Sequence, residues 1–566
     1  MSFWSPAQAR RASPLDLLFL LLVGLLVLVL FLDAPHVLPR SEQQLDTSPS
    51  LVPLYALFSL LRMVAAYGVS VGFALVTGYW AAASAAGRRF ILPGLDILQS
   101  VPILGFFPAA IFFFIRLFRG SVAGVEAAAV FLIFTSQAWN LAFSVYESLT
   151  TIPADLVTAV RASGATGLVR WRRLLLPACV PRLTYNSMLS WAGGWYFLIA
   201  SEMITVGPRS YTLPGLGSYI GQTIAEGRYY LAAVGIGALA AVIVALHVAV
   251  WSPLEFWSKR FRYEYASSTE AGGTPVALAF IERAPLVRRL WIGTADGAAR
   301  LIGRVAALAS HALTADVTKY AFAALGIAGL ALVGYGGVRT AVQLARPLPP
   351  EARVIPWALG YSFLRLTAAY GISLAWTVPL AYWVSRSAPR SARVLPVVQV
   401  LASMPATAFF PVIVTAVLAL HLSMNVAAVA LVLTGMQWYL LFNLVAGAQA
   451  MPEDLRELAE ASDVHGWLYL RRFFLPVAMP SLITGSLTAW GGGWNALIIS
   501  EWVTAGGRTY SVTGIGSLLD EATYVKGDLQ MITLTIVSMV VVITLINRFF
   551  WRRLYQRATV KYRLEY

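Results

Sequence analysis

Long apolar runs alternate with short polar segments along almost the whole chain. A helix needs roughly 20 mostly apolar residues to cross the hydrocarbon core of a bilayer. Six runs of this kind occupy positions 15–32, 54–83, 95–118, 122–146, 184–205 and 229–251. Six more occupy positions 320–338, 360–384, 394–420, 424–442, 482–504 and 529–550. The pattern predicts an all-α polytopic membrane protein with twelve transmembrane helices.

The run at 15–32 also has the short basic front and apolar core of a signal peptide. No small-residue cleavage motif follows it, and the second half begins with its own equivalent, Lys319 and then 320–338. We therefore expect a true membrane span at this position.

The second six runs repeat the first six. LLRMVAAYGVSVGF at 60–73 matches FLRLTAAYGISLAW at 363–376, an offset of 303, and Glu202 matches Glu501, an offset of 299. Because each copy has six spans, both insert in the same orientation, and parallel repeats form a pseudo-dimer with a pathway between the halves. The predicted division is a first repeat at 1–253, a cytoplasmic linker at 254–317 and a second repeat at 318–566.

Basic residues collect on one side of the predicted spans. They precede the first span or follow an even-numbered one: Arg10, Arg11, Arg88, Arg89, Arg170, Arg172, Arg173, Lys259, Arg260, Arg262, Arg548, Arg552, Arg553 and Arg557. Basic loops stay on the cytoplasmic side, so we expect both termini to be cytoplasmic. The net charge of +15 is thereby accounted for, and without a basic face bearing interleaved aromatics we expect no nucleic-acid partner.

Each half carries a polar insert between its fourth and fifth spans, at 147–183 and 446–481, which we call the first and second docking loops. In each, a helix that starts at a proline, Pro153 or Pro452, leads into a turn of small residues. A second short helix is predicted to follow and to end at a Leu-Pro pair. Small side chains let a partner protein approach the backbone closely, so this pattern indicates docking and not catalysis.

The docking loops resemble the signature of the type I permease subunits of binding-protein-dependent ABC importers. That signature is Glu-Ala-Ala, three residues, Gly, nine residues, then Ile-x-Leu-Pro. The first loop has Thr158-Ala159-Val160, Gly164, Leu174 and Leu176-Pro177; the second has Glu457-Leu458-Ala459, Asp463, Phe473 and Leu475-Pro476. The first copy departs from the signature at its acidic residue and the second at its glycine.

The resemblance implies that each loop forms a coupling helix seated in a cleft of a separate ATPase. The residues implied are Thr158, Ala159, Arg161, Ala162, Gly164, Ala165, Leu176 and Pro177, with Glu457, Ala459, Glu460, Ala461, Asp463, Val464, Leu475 and Pro476. The implied partners are two ABC ATPase subunits, an extracytoplasmic solute-binding protein and the lipid bilayer, at the plasma (inner) membrane of a prokaryote. The chain contains no G-x-x-x-x-G-K-[ST], so ATP and Mg²⁺ are expected on the ATPase partners, with no cofactor in this chain and no enzyme activity of its own.

The two docking loops differ in charge. The first has five arginines and two acidic residues, net +3, and the second has three arginines and five acidic residues, net −2. Two interpretations remain open. The loops could bind two ATPase sockets that differ from each other, or the charges on exposed faces could have diverged after the duplication without a functional consequence.

The fifth span of each half contains candidate pathway or gate residues: Trp191, Trp195, Glu202, Trp490, Trp494, Asn495 and Glu501. Close helix packing is the alternative for this glycine-rich segment. Glu202 lies roughly 27 Å along a helix from Thr184, at about 1.5 Å per residue, which puts it near the outer interface. We expect it, and likewise Glu501, to pair with Arg62 or Arg365 in a structural ion pair; an outer gate is the alternative.

The segment beyond each glutamate, GPRSYTLPGLGSYI at 207–220 and GGRTYSVTGIGSLL at 506–519, is expected to form a tight turn and a short helix. This arrangement is similar to the nitrate/taurine (sulfonate, bicarbonate) branch of the type I importers, which implies a small, often anionic solute. A fused iron(III)-type permease and an ion-coupled secondary carrier remain alternatives. An intramembrane enzyme is disfavoured because no paired carboxylates or metal-ligand cluster stands out within the spans.

Overall fold

The computed structural model describes residues 45–261 and 347–561, together with Val338 and Ala345. Short gaps within these ranges fall at 101–102, 166, 207–208, 405, 450, 452 and 506–507. The predicted span at 15–32, the linker beyond Phe261 and the predicted span at 320–338 (Val338 apart) lie outside the described residues. We call 45–261 the first half and 347–561 the second half.

The first half consists of helices and one β-hairpin. In chain order these are α1 Val52–Ala83, α2 Ala85–Ser100, α3 Ile103–Leu117, α4 Val122–Thr150, α5 Ala154–Ala162, α6 Gly167–Arg170, α7 Leu176–Tyr196, α8 Leu198–Glu202, β1 Met203–Val206, β2 Arg209–Thr212, α9 Leu216–Ala225, α10 Tyr229–Leu246 and α11 Ser252–Ser258. Single π-helical turns occupy Trp171–Leu175 and His247–Trp251. Short 3-10 turns occupy Pro49–Leu51 and Lys259–Phe261.

The second half repeats this order. Its elements are α12 Ile355–Ser385, α13 Ala388–Ser403, α14 Phe410–Ala419, α15 Met424–Gln449, α16 Glu453–Ala461, α17 Gly466–Tyr469, α18 Leu475–Ser500, β3 Trp502–Ala505, β4 Arg508–Ser511, α19 Ile515–Asp520, α20 Leu529–Ile546 and α21 Arg552–Lys561. Its π turns are Leu470–Phe474, Glu521–Lys526 and Asn547–Trp551. Its 3-10 turns are Pro350–Val354 and Ala406–Phe409.

Six helical segments in the described chain are long and apolar enough to cross a membrane: Pro49–Ala83, Val122–Thr150, Tyr229–Ser258, Met424–Gln449, Gly466–Ser500 and Gln530–Ala558. A seventh is added if the bent pair Pro389–Ser403 and Ala406–Ala419 counts as one span. These segments agree with six of the twelve predicted spans and, with the bent pair, with a seventh.

The third span of the second half is interrupted, which corrects the continuous helix predicted at 394–420. In the first half, α2 and α3 lie on either side of residues 101–102, which are outside the described residues. In the second half the two parts meet at 74°. Met404, at the break, has extended backbone (ψ 133°), the conformation that a following proline favours, and Pro405 follows it.

Two short antiparallel hairpins occur in an otherwise mostly helical fold. Met203 pairs with Thr212 and Val206 with Arg209 in the first, and Trp502 pairs with Ser511 in the second. Each hairpin follows the glutamate of the fifth span. It turns the chain back, so that α9 and α19 pack beside that glutamate.

Within each half the second, fourth and fifth spans form the core. Helix α1 packs along α4 and α4 along α7, as α12 packs along α15 and α15 along α18. The two halves meet through their third spans, because α7 contacts α13 and α18 contacts α3.

Candidate functional site

The docking loops are exposed helices held on one face only. In the first loop, Leu156, Val157 and Val160 of α5 pack against the apolar cluster that contains Trp171. The opposite face is open to solvent. The exposed candidate residues are Thr158, Ala159, Arg161, Ala162 and Gly164 in the first loop and Glu457, Glu460, Ala461 and Asp463 in the second. Ala459 is buried, and Ala165, Val464, Leu176, Pro177, Leu475 and Pro476 are half-buried.

The turn after each loop helix has one backbone geometry despite its different residues. Gly164 has φ +69° and its counterpart Asp463 has φ +52°, both in the left-handed region that glycine and, less readily, aspartate adopt. Their N–H groups donate to the carbonyls of Arg161 and Glu460, each at 3.0 Å. Asp463 Oδ1 also lies 3.2 Å from Nδ1 of His465. The sequence departure at this position therefore preserves the turn.

The Leu-Pro pair does not end a short helix, contrary to the sequence prediction. A proline inside an α-helix lacks the N–H donor and its ring meets the carbonyl four residues earlier. A π turn precedes each pair: Leu176 N–H donates to Trp171 O, and Leu475 N–H to Leu470 O. These wider turns accommodate Pro177 and Pro476, so the helix continues into α7 or α18. Each docking loop is thus joined by continuous helix to the fifth span.

Glu202 is completely buried at the other end of the fifth span. Its carboxylate accepts hydrogen bonds from Ser59 Oγ at 2.6 Å, Arg62 Nη1 at 2.9 Å and Gly217 N at 2.7 Å. Arg62 also pairs with Glu126 through Nε at 2.6 Å and Nη2 at 2.7 Å. The expected ion pair of Glu202 therefore forms with Arg62 of the same half. The Arg62 guanidinium binds the carboxylates of both Glu202 and Glu126.

Glu501 has equivalent partners in the second half with one difference. It accepts from Ser362 Oγ at 2.6 Å, Arg365 Nη1 at 2.6 Å and Gly516 N at 2.8 Å. The remaining face of Arg365 donates to the amide oxygen of Asn425, at 2.9 and 2.7 Å. Arg365 therefore has one carboxylate partner where Arg62 has two.

The glycines of the G-x-G segments allow α9 and α19 to approach these carboxylates. A Cβ on Gly215 would overlap the carboxylate of Glu202, and one on Gly514 would overlap that of Glu501. Both glycines have extended backbone, with φ −179° and −170°, so the requirement for glycine there comes from space and not from backbone strain.

Asp520 is a further buried carboxyl group, 8% exposed, at the end of α19. Burial, with a smaller contribution from Glu501, raises the pKa of Asp520 well above its ordinary value. The first half has Gly221 at this position. The second half thus has Asn425 in place of Glu126 and an aspartate in place of Gly221.

The four candidate tryptophans are buried, and Trp191 and Trp195 of the first half also line a small cavity with Gln399, Val400 and Ser403 of the second half. Trp191 packs edge-on against Tyr67 and Trp251, with ring centroids 5.5 and 5.7 Å apart. Trp490 packs similarly against Tyr370 and Trp551 at 5.9 and 5.6 Å. Trp195 and Trp494 are at most 1% exposed. Their surroundings are those of packed core residues, and a pathway role for them stays a prediction.

Asn495 forms a hydrogen bond to the other half. Its Oδ1 accepts from the backbone N–H of Ile103 in α3 at 2.6 Å. The counterpart of Asn495 is Tyr196, whose backbone oxygen accepts from Thr407 of the second half at 3.4 Å. Each fifth span therefore contacts the third span of the opposite half.

Several partners in these clusters were missed by sequence reasoning. Ser59, Ser362, Glu126 and Asn425 each complete a hydrogen-bond network around an arginine. The only available signal was the spacing of serine three positions before arginine, repeated as Ser59-Arg62 and Ser362-Arg365. Among the described residues no group of three or more His, Cys, Asp or Glu could hold a metal ion.

Comparison with known proteins gives two matches to one family, described as binding-protein-dependent transport system inner membrane component, at residues 74–252 and 371–560. A nitrate import permease protein of Leptolyngbya laminosa is 25% identical over 191 residues, which cover 34% of this chain and 64% of that protein. A bicarbonate transport system permease protein of Synechococcus elongatus is 25% identical over 193 residues, covering 34% and 66%.

A glycine betaine transport system permease protein of Bacillus subtilis is 27% identical over 179 residues, covering 31% of this chain and 57% of that protein. The chain thus spans less than two-thirds of the length of each of these relatives.

Proposed function

Because this chain belongs to the binding-protein-dependent transport system inner membrane components, with two copies of the family fused, we propose that it alone forms the translocation pathway of an ATP-driven importer. The two repeats, 1–253 and 318–566, make a pseudo-dimer of twelve membrane helices joined by the linker 254–317, with both termini cytoplasmic. Separate ATPase subunits bind the docking loops, and a solute-binding protein delivers solute at the opposite face.

The observation that carries this proposal is the continuity of each docking loop with a fifth-span helix. After the turn at Gly164 or Asp463, the short helix α6 or α17 passes through a π turn into α7 or α18 without a break. A helix of this kind moves as a rigid body when its exposed end is displaced. Closure of two ATPases would therefore act on the contact between the fifth span and the opposite half, where Asn495 lies.

Among the gate candidates, we assign Glu202 and Glu501 a structural role. Buried charged groups are stable only when paired and hydrogen-bonded, and both carboxylates have three or more donors. We likewise assign the four tryptophans to packing and Asn495 to the interface between the halves.

The proposed solute is a small anion. The relatives named for nitrate and for bicarbonate support this class, and the relative named for glycine betaine represents the competing one. Uptake by the complex reconstituted in liposomes with its binding protein separates them: ATP-dependent accumulation of nitrate or bicarbonate is expected, and accumulation of glycine betaine alone would contradict the anion assignment.

The importer proposal is tested by purifying the tagged chain from its native host in mild detergent. A P-loop ATPase should co-elute at about two copies per chain, and this should be lost in the double variant Ala162→Trp, Ala461→Trp. Val525→Trp is the matched control, because Val525 is 65% exposed and lies beyond the opposite end of the fifth span. A chain that elutes without an ATPase and moves solute down an ion gradient would overturn the proposal in favour of a secondary carrier.

A further inference from the structure

The exposed surfaces of the two docking loops are chemically different. The segment 154–164 carries one aspartate and one arginine, while its counterpart 453–463 carries five acidic residues and one arginine, net −4. The difference falls on exposed positions: Arg161 corresponds to Glu460 and Gly164 to Asp463. The Asp463 side chain is 95% exposed. Both loops share a backbone, so the contrast is one of side chains alone.

Apolar exposure differs in the same direction. The second loop exposes Leu458 at 54%, Trp467 at 72% and Leu468 at 46%. In the first loop, Ala159 occupies the position of Leu458 and Val169 that of Leu468. Exposed large apolar side chains flanked by charge are typical of protein-binding surfaces. Val169 is 47% exposed, as much as Leu468, so the described difference lies at Leu458. The second loop therefore exposes a large apolar side chain among negative charges where the first has alanine.

We propose that the two docking loops bind two different ATPase polypeptides, an inference that rests on the proposed function. The socket for the second loop is basic and has an apolar pocket for Leu458 and Trp467. The socket for the first loop is shallow and neutral to acidic.

Two copies of one ATPase would present two identical sockets to these unlike surfaces. A basic socket that complements Glu457 and Glu460 would place its positive groups against Arg161, and like charges in an interface are unfavourable. A pocket deep enough for Leu458 would be left unfilled by Ala159. One socket cannot complement both surfaces.

The test uses the matched positions Ala162 and Ala461, which are both exposed. The native Cys179 is buried and is left in place. Ala162→Cys and Ala461→Cys are expressed separately in the native host, membranes are treated with a maleimide–succinimide crosslinker, and the attached protein is identified by mass spectrometry. The unsubstituted chain is the control for labelling at Cys179.

Two different P-loop ATPases are expected, one at each position. The same polypeptide attached at both positions would overturn this inference and leave the importer proposal intact, whereas no ATPase at either position would contradict the importer proposal itself.

A second measurement tests the charge argument directly. Glu457→Lys with Glu460→Lys should abolish crosslinking at position 461 while crosslinking at position 162 persists. Equal losses at both positions would contradict independent recognition of the two loops.

Discussion

The side chain of Asn495 joins the two halves: its Oδ1 lies 2.6 Å from the backbone nitrogen of Ile103 and accepts its hydrogen bond. Asn495 belongs to the fifth span of the second half, and Ile103 is the first described residue of α3, in the third span of the first. Asn495 thereby supplies an acceptor, from the opposite half, to a backbone N–H of α3.

We expect Asn495→Ala to destabilise this contact between the halves. The Ile103 N–H would lose its acceptor, and a buried donor left unsatisfied costs about 1–3 kcal/mol. The midpoint of thermal unfolding in detergent should fall. Asn443→Ala is the control, because the described partner of Asn443 is the Tyr439 carbonyl in its own helix, at 2.8 Å. Equal shifts for the two variants would count against a bridging role for Asn495.

The two buried ion pairs should differ in their tolerance of neutralisation. Glu202→Gln leaves Arg62 paired with Glu126, whereas Glu501→Gln leaves Arg365 with the neutral Asn425. Removing one partner of a buried pair costs about 3–5 kcal/mol when the other charge is left uncompensated. We therefore expect Glu501→Gln to lower the unfolding midpoint more than Glu202→Gln does.

A second substitution should partly restore the stability of the Glu501→Gln variant. Adding Asn425→Glu to Glu501→Gln restores a carboxylate at the position that Glu126 has in the first half, and should recover part of the lost stability. If Glu202→Gln proves the more damaging variant, or if Asn425→Glu rescues nothing, the second carboxylate is not what distinguishes the two halves.

Much of the fold follows from the sequence because long apolar runs report membrane helices directly. The predicted spans at 54–83, 122–146 and 424–442 lie within the observed helices Val52–Ala83, Val122–Thr150 and Met424–Gln449. The ion pairing of Glu202 and Glu501 was also expected, because charged groups at membrane depth need partners.

Features within an apolar run were not predictable in this way. The break after Ser403 and the strand Met203–Val206 both lie in stretches that remain apolar, so hydropathy does not mark them. The π turns before Pro177 and Pro476 depend on how the helix accommodates a proline, which the Leu-Pro pair alone leaves open. The pairing of Arg62 with Glu126 joins residues 64 positions apart and follows only from the packing of α1 on α4.

We expect Gly514→Ala to prevent close packing of α19 on the fifth span. A Cβ there would overlap the Glu501 carboxylate, and overpacking of this kind costs typically about 1–3 kcal/mol or more. Gly371→Ala is the matched control, since nothing lies within 4 Å of its Cβ position. The yield of monodisperse protein and the unfolding midpoint should fall for Gly514→Ala and not for Gly371→Ala. Similar behaviour of the two variants would mean that α19 does not rest on Glu501.

Asp520 should make stability depend on pH. Burial raises its pKa well above the ordinary value of 3.8, so between the unfolded and folded pKa values the folded chain keeps a proton that the unfolded chain has released. Folded-state proton binding of this kind makes the free energy of unfolding decrease as pH rises through that window. The slope for one fully linked group is about 1.4 kcal/mol per pH unit.

Asp520→Asn removes this linkage while keeping the shape of the protonated side chain. We expect the variant to be more stable than the native chain above the ordinary aspartate pKa, by a margin that grows with pH until the folded pKa is reached. The measurement is the difference in unfolding free energy between the two proteins across a pH series, in which all other groups cancel.

Asp46→Asn is the control: Asp46 is exposed, and hydrogen bonds from Ser48 lower its pKa. Asp46 therefore affects the pH dependence of stability only at acid pH. The difference in unfolding free energy between Asp46→Asn and the native chain should stay constant over the pH range in which the difference for Asp520→Asn increases. A constant difference for both variants would show that Asp520 is ionised in the folded protein.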